Sequence, residues 1–153
     1  MDTSPAQKLT ELIQRLTGHM HIPCGVVVDV PEDGSAITIA IQANENAKLL
    51  IGKEGQNLKA LEHVVRAVWT RQSGQVRSVV VDVNDYRKER STQVIELVRQ
   101  VAGRVRDSQR SEALPPMTSY ERRLAHTELA SWTEVSTESV GQEPQRRVVI
   151  KPL

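Results

Sequence analysis

The 153-residue chain has little of what several protein classes require: one cysteine, two Trp, two Tyr and no Phe. The single cysteine, Cys24, cannot form an internal disulfide, which is typical of a protein from a reducing compartment. No apolar run approaches the ~20 residues of a membrane-spanning helix, and the first residues lack the basic and apolar regions of a secretory signal. These absences predict a folded, cytoplasmic protein without membrane insertion.

Charge and motif content argue against further classes. With 20 Lys and Arg against 19 Asp and Glu, the net charge is +1, too little for strong non-specific binding to duplex nucleic acid. Few aromatic rings are available for base stacking, so nucleic-acid binding would depend on main-chain amides, guanidinium groups and aliphatic contacts. No Walker loop, nucleophile elbow or zinc-protease motif occurs. The chain is therefore not predicted to be an enzyme, and neither a cofactor nor a small-molecule substrate is expected.

Three residues of metal-ligating types lie close together after the first predicted helix: His19, His21 and Cys24. A structural zinc site takes four ligands, and a fourth is not evident nearby. No metal site is therefore predicted.

Hydrophobic spacing in residues 1–83 predicts the element order α-β-β-α-α-β. Ser4 is a typical N-cap residue, and apolar residues at helical spacing follow it. The other predicted elements are a β-hairpin over 26–41, helices over 47–51 and 58–73, and a strand over 79–83. The longer helix is predicted to turn inward Leu58, Leu61, Val64, Val65, Val68 and Trp69.

The second half is predicted to contain two helices followed by two strands. Asn84 and Asp85 are typical of a helix start, and valines at helical spacing follow as far as Val105. Thr118 and Glu121 have the spacing of a capping box, which predicts the start of the second helix. The strands are predicted around 135–140 and 146–150.

Gly52 and Gly55 lie three residues apart between two predicted helices. Because glycine has no Cβ, it permits a sharp turn and lets main-chain amides approach a phosphate, while the following helix adds its positive N-terminal end. The predicted binding residues of this loop are Ile51, Gly52, Lys53, Glu54, Gly55 and Gln56. An aliphatic floor for unstacked bases is predicted from Ile39, Ile41 and Ile51. The alternative is a plain helix connection in which Gly52 is a C-cap.

With this loop in place, residues 1–83 resemble a type II KH domain, whose α-β-β-α-α-β order they share. Members of that family often carry basic residues at both inner loop positions. Glu54 departs from this pattern, and its carboxylate repels phosphate. The departure concerns affinity rather than the fold.

Arg122 and His126 are four residues apart, so in a helix they share one face, about 40° apart around the axis and about 6 Å along it. Such a pair can hold one phosphate from two sides. Further contacts are predicted from Arg123, Arg146, Arg147, Arg87 and Lys88. Strand residues alternate, so only one of Arg146 and Arg147 can face the helix. The alternative is that Arg122 and Glu121 form ordinary ion pairs while His126 caps or packs.

The segments 116–126, 137–144 and 146–150 closely resemble the R-three-H domain of the bacterial Jag (SpoIIIJ-associated) family. Thr118-Ser119 stands where the family often has Asn-Pro, and Gln145 where an aromatic residue is common. Family members place a KH domain directly before this domain, so the resemblance covers essentially the whole chain. Many also have a separate N-terminal Jag domain, and its functions are not expected from this sequence.

The resemblance implies an α+β protein. It places a type II KH domain at 1–84, with a three-stranded sheet and helices on one face, and a linking helix with a small α/β R-three-H domain at 85–153. It further implies binding of single-stranded RNA or single-stranded DNA, with RNA favoured. The implied role is a post-transcriptional regulator or RNA chaperone linked to cell envelope growth. A small KH-only protein is an implied partner.

Two rival functions remain open. Glu54, the near-zero net charge and the scarcity of aromatic residues suit a protein-interaction adaptor with a degenerate KH scaffold and little RNA affinity. A nuclease is the other rival, but the sequence has no acidic cluster of the kind that holds catalytic metal ions. Crosslinking in cells separates the adaptor from an RNA-binding protein.

Overall fold

The computed structural model describes residues 4–44 and 46–153. The chain divides into two compact units, Met1–Arg87 and Lys88–Leu153, each with its own hydrophobic core. The helices and strands of the first unit are α1 (Pro5–His19), β1 (Cys24–Asp29), β2 (Ile37–Ala43), α2 (Ala47–Ile51), a 3-10 helix (Lys53–Gly55), α3 (Gln56–Ser73) and β3 (Val79–Val83). They are followed by α4 (Tyr86–Ser108), β4 (Glu112–Ala113), α5 (Ser119–Leu129), β5 (Val135–Val140) and β6 (Arg147–Pro152). None of the described helices is both long and apolar enough to cross a lipid bilayer.

The sheet of the first unit has the order β1-β2-β3. β1 pairs with β2 in antiparallel orientation, and β2 pairs with β3 in parallel orientation. Alternate residues of β2 are buried, because the period-two pattern turns Ile37, Ile39 and Ile41 toward the core that they share with α1 and α3. The other face of the sheet is exposed. The element order is α-β-β-α-α-β, with the helices on one face, as the sequence predicts.

α3 buries a narrower stripe than the sequence predicts. Leu58, Val65 and Trp69 are buried, whereas Val64 is 42% exposed, so the inward assignment of Val64 was wrong. The spacing of seven and then four residues keeps Leu58, Val65 and Trp69 on one side of a 3.6-residue helix. Val64 lies about 100° away from Val65 around the axis and falls outside this stripe.

The outer edge of β3 is closed by side chains. Glu62 accepts a hydrogen bond from the main-chain N–H of Val81 at 3.0 Å, and Arg87 Nε donates to the carbonyl of Val81 at 3.0 Å. Arg87 also forms an ion pair with Glu62. An unpaired strand edge invites pairing with another chain, and these bonds satisfy its central residue.

Asn84 extends the sheet rather than capping α4. Its carboxamide accepts from the main-chain N–H of Ala43 at 3.0 Å and donates to the carbonyl of Ala43 at 2.7 Å, so it takes the place of another strand residue. The main chain is left-handed at Asn84 (φ 51°) and Asp85 (φ 58°), and α4 begins at Tyr86. The prediction that Asn84 and Asp85 start the helix therefore placed its start slightly early.

The second unit packs α4 and α5 against a sheet of order β4-β6-β5. All of its strand pairs are antiparallel. Its core is formed largely by Val94, Val98, Val101, Val105, Leu114, Ala125, Leu129, Val148 and Ile150. The two-residue strand β4 was not predicted, because so short a segment has no hydrophobic period of its own.

A capping box begins α5. Thr118 Oγ1 accepts from the N–H of Glu121 at 3.3 Å, and Glu121 Oε2 accepts from the N–H of Thr118 at 2.8 Å. Arg90 Nε donates to the other carboxylate oxygen of Glu121 at 2.6 Å. Burial alone would raise the pKa of Glu121, but the hydrogen bond from the main chain of Thr118 and the nearby charge of Arg90 outweigh it and lower that pKa.

We expect Glu121→Gln to lower the free energy of unfolding of the second unit by about 1 kcal/mol at neutral pH. The loss of stability of the second unit on acidification should also be smaller in this variant. The folded pKa of Glu121 lies below its ordinary value of 4.5, so its contribution is present above that pH and is lost as the pH falls through the folded pKa. Urea unfolding of the full chain, followed by NMR signals of the second unit from neutral to acidic pH, measures both effects. Glu128→Gln, which removes an ion pair from the same helix, is the matched control and should change stability less. Equal effects of the two variants would contradict the expectation.

Candidate nucleic-acid interface

The main chain between α2 and α3 turns through left-handed conformations. Gly52 has φ 71° and ψ 179°, Glu54 has φ 53° and ψ 28°, and Gly55 has φ 76° and ψ 18°. Gly52 adopts a combination that is essentially restricted to glycine. A left-handed residue that follows a helical one turns successive N–H groups toward one side, which creates a concave site for an anion. Lys53, in the 3-10 helix, and Glu54 form such a pair.

Two adjacent amide donors of this loop are uncommitted. The N–H of Gly52 donates to the carbonyl of Lys48 at 2.9 Å, and that of Gly55 donates to the carbonyl of Gly52 at 3.3 Å. Within residues 4–44 and 46–153, the N–H groups of Lys53 and Glu54 have no acceptor. The side chains of both residues are exposed. The loop can therefore donate two neighbouring hydrogen bonds to an external oxygen.

Packing holds this loop in place from two sides. Asn57 Nδ2 donates to the carbonyl of Leu49 at 2.8 Å, which ties the first turn of α3 to the end of α2. A Cβ on Gly52 would lie 2.6 Å from Cγ of Asn57, and a Cβ on Gly55 would lie 3.2 Å from Cε1 of Tyr86. The sequence reasoning missed both Asn57 and Tyr86, because contact with a glycine leaves no signal in hydrophobic spacing.

The predicted aliphatic floor is wrong for two of its three residues. Ile39 and Ile41 are at most 1% exposed, because the inward face of β2 places them in the core, so they cannot receive a base. Ile51 is half-buried. The exposed aliphatic side chain of α2 is Leu49, which is 55% exposed and was not predicted.

The exposed cations near the loop include two that sequence reasoning missed. Lys48 on α2 and Lys59 on α3 are exposed, as is Gln56 at the first position of α3. Each lies within one or two helical turns of the loop along its own helix. Lys48 and Lys59 add positive charge near Lys53, which partly offsets the carboxylate of Glu54.

In the second unit, the guanidinium of Arg122 is nearly buried and forms hydrogen bonds within the domain. Its side chain is 9% exposed. Nη1 donates to the carbonyl of Met117 at 2.6 Å and to Oε1 of Glu143 at 2.8 Å. Glu143 lies between β5 and β6, and its side chain is 60% exposed. A phosphate that took Arg122 as a direct ligand would have to displace this carboxylate or lie beside it.

His126 is also engaged on both ring nitrogens. Nδ1 lies 2.7 Å from Oγ1 of Thr137, and Nε2 lies 2.8 Å from Oγ of Ser139. A hydroxyl can donate or accept, so either tautomer of the ring is satisfied. His126 therefore joins α5 to β5. These contacts resemble the alternative in which Arg122 forms an ion pair and His126 packs.

The remaining predicted cations differ in how they are held. Arg123 and Arg146 are exposed, and Arg147 is half-buried with Nε donating to the carbonyl of Gln145 at 3.2 Å. Val148 and Ile150 are buried and pair in register with Ser139 and Thr137, the hydroxyl partners of His126. Arg147 is the first residue of β6 and alternates with the buried Val148, so its side chain lies on the face of the strand away from the core. Arg146 immediately precedes β6, and its carbonyl accepts a hydrogen bond from the N–H of Met117 at 3.0 Å.

The two predicted cations at the start of α4 differ in their surroundings. Lys88 is exposed, whereas Arg87 is committed to the edge of β3 through Glu62 and Val81. Among the described residues, no group of three His, Cys, Asp or Glu side chains is arranged to hold a metal ion. Cys24 Sγ instead lies 3.2 Å from Thr17 Oγ1.

We expect Gly52→Ala to destabilise the first unit by about 2 kcal/mol or more, because φ 71° with ψ 179° is essentially restricted to glycine and the new Cβ also clashes with Asn57. Gly74→Ala is the matched control. Gly74 has φ 69°, but a Cβ there meets no atom within 4 Å, so its cost should be about 1 kcal/mol from strain alone. Thermal or urea unfolding of both variants measures the difference. Equal losses would show that neither the backbone conformation of Gly52 nor its contact with Asn57 adds to the cost of a Cβ there.

Comparison with known proteins identifies relatives of both units. Residues 92–152 match the family model of the R-three-H domain. Over 143 residues, 94% of this chain and 64% of the relative, the sequence is 31% identical to a Clostridium symbiosum protein named RNA-binding protein KhpB. It is 37% identical over 108 residues to the protein of the same name from Bacillus subtilis (strain 168), which is 69% of this chain and 52% of that relative. The chain thus spans only part of the length of these relatives. It carries an R-three-H domain and is a relative of the proteins named RNA-binding protein KhpB.

Proposed function

We propose that this chain binds single-stranded RNA through two surfaces, one in each unit. The loop surface consists of residues 51–56 with Lys48, Leu49 and Lys59 beside it. The R-three-H surface consists of Arg122, Arg123, His126 and Arg146; Arg147, on the other face of β6, is not part of it. The observation that carries the proposal is the pair of uncommitted amide donors at Lys53 and Glu54.

The loop surface suits the backbone of an unpaired strand. Two adjacent N–H groups can both donate to one phosphate, and Lys53 can add a charge-assisted hydrogen bond. Leu49, exposed on α2, offers an apolar contact to a base that is free of stacking partners. Bases in a duplex stay stacked and paired, so an aliphatic contact of this kind favours a single strand.

The choice of RNA over single-stranded DNA comes from the relatives, which are named RNA-binding proteins. Phosphate contacts are common to both polymers, and only a contact to the 2′-hydroxyl distinguishes them. Parallel measurements with matched RNA and DNA oligonucleotides decide this point.

We propose further that the first unit is a type II KH domain. The element order α-β-β-α-α-β, the parallel pairing of β2 with β3 and the glycine loop between α2 and α3 support this assignment. In this arrangement the loop begins α3, whose N-terminal end favours an anion. The resemblance to the Jag family adds a role in RNA regulation linked to envelope growth and a small KH-only partner. Both stay predictions.

Two weak surfaces on one chain reinforce each other. After one surface has bound, the other meets the same strand at a raised effective concentration. Loss of either surface should therefore weaken binding by more than its own contacts suggest.

We expect Lys53→Asp combined with Glu54→Asp to lower the affinity for a single-stranded oligoribonucleotide by at least about tenfold, because aspartates on both sides of the amide pair repel phosphate. Fluorescence anisotropy of the full chain measures the affinity, and circular dichroism should be unchanged. Lys8→Asp is the matched control, since it makes the same change in net charge on the exposed face of α1.

Retained affinity in the double variant would move the site away from the loop surface. An unmodified chain that shows no binding to RNA or single-stranded DNA would instead favour the protein-interaction adaptor. The unmodified chain is therefore titrated first.

We also expect the affinity to fall with salt. If both surfaces together neutralise about four to six phosphates, a plot of log affinity against log salt concentration should have a slope of roughly −3 to −4, from about −0.7 for each phosphate on a single strand. Titrations of the unmodified chain at several potassium chloride concentrations give this slope. An affinity that does not change with salt would exclude phosphate contacts as its main source.

A further inference from the structure

Arg122 holds the segment between β5 and β6 at two points. Nη1 bonds directly to Glu143 within this segment. The same nitrogen donates to the carbonyl of Met117, and the N–H of Met117 donates to the carbonyl of Arg146 at 3.0 Å. One guanidinium thus connects α5 to Glu143 directly and to Arg146 through Met117.

These bonds leave Arg122 poorly suited to hold a phosphate itself. Its side chain is 9% exposed, and the carboxylate of Glu143, at 2.8 Å, would repel an arriving phosphate. Direct binding would require that ion pair to open and the desolvated guanidinium to change partners. Arg146 is exposed, and its carbonyl accepts the hydrogen bond from the N–H of Met117.

We propose that Arg122 is a positioning residue of the R-three-H surface and that Arg146 is the arginine that contacts the phosphate. Arg122 fixes the segment that carries Arg146, and Glu143 is the anchor on that segment rather than a competitor of the phosphate. This inference rests on the proposed binding of RNA. It reverses the roles that a two-sided grip by Arg122 and His126 would assign.

A double-mutant cycle on salt dependence tests the proposal. The full chain and its variants Arg122→Gln, Arg146→Gln and the double variant are titrated with a fluorescent single-stranded oligouridylate at several salt concentrations. Each single variant should lower the magnitude of the salt slope by about 0.7, and the double variant should also lower it by only about 0.7, since both changes remove one contact. A loss of about 1.4 in the double variant would show that Arg122 neutralises a phosphate of its own and would overturn the proposal.

Glu143→Ala supplies a test with opposite signs for the two roles. If Glu143 is an anchor, its removal frees the segment and the chain binds the oligouridylate several-fold more weakly. If Glu143 instead competes for Arg122, its removal strengthens binding. Glu138→Ala is the matched control, because it removes the same charge from an exposed position of β5 and corrects for the general effect of lost negative charge. Binding by Glu143→Ala that is equal to or tighter than binding by Glu138→Ala overturns the proposal.

A measurement on the protein alone separates this inference from the proposed function. Amide hydrogen exchange over residues 141–146 should accelerate in Arg122→Gln and in Glu143→Ala, but not in Glu138→Ala. If the unmodified chain binds no RNA, the proposed function fails, while this measurement still decides the positioning role. Unchanged exchange in both variants overturns it. If Arg122→Gln does not fold, Glu143→Ala combined with Arg146→Gln replaces it in the cycle.

Discussion

The hydrogen bonds of Arg122 to Met117 and Glu143 join helix α5 to the segment before β6, and the shape of the R-three-H surface depends on them. A guanidinium that is removed from water must keep acceptors, because an unpaired buried charge is strongly destabilising. His126 meets the same requirement through Thr137 and Ser139. The two residues at the signature spacing are thus tied to the β5–β6 hairpin at different places, Arg122 to the connecting segment and His126 to β5. Their spacing of four serves the packing of the domain as well as any contact with a ligand.

In the loop of the first unit, by contrast, two hydrogen-bond donors are left without partners among the residues that the structure describes. There the main chain bends so sharply that the donors of Lys53 and Glu54 have no acceptor within the described chain. Gly52 makes the bend possible through its backbone angles, while Asn57 and Tyr86 fill the space beside the glycines. The loop is therefore held by its neighbours rather than by its own hydrogen bonds. Hydrogen-bond satisfaction distinguishes the two surfaces better than charge does.

The sequence predicts the elements well, because the spacing of apolar residues in helices and strands is a local property. It also places the glycine loop correctly between α2 and α3. It fails where the outcome depends on distant partners. Glu143 lies 21 residues from Arg122, and Glu62 lies 25 residues from Arg87, so neither ion pair could be read from local spacing. The same reason explains why the prediction for Ile39 and Ile41 was wrong. They were assigned to an aliphatic floor for bases, but the packing of the sheet against α1 and α3 places them in the core.

Glu54 limits what the loop can do alone. Its main-chain N–H is one of the two uncommitted donors, yet its side chain brings a negative charge to the same place. A residue other than glycine in the left-handed region also carries a strain of order 1 kcal/mol. Because the amide attracts a phosphate and the carboxylate repels it, the loop is suited to weak contact. Weak contact becomes useful when a second surface on the same chain keeps the strand close, so the proposed binding of a polyanion is compatible with a net charge of +1.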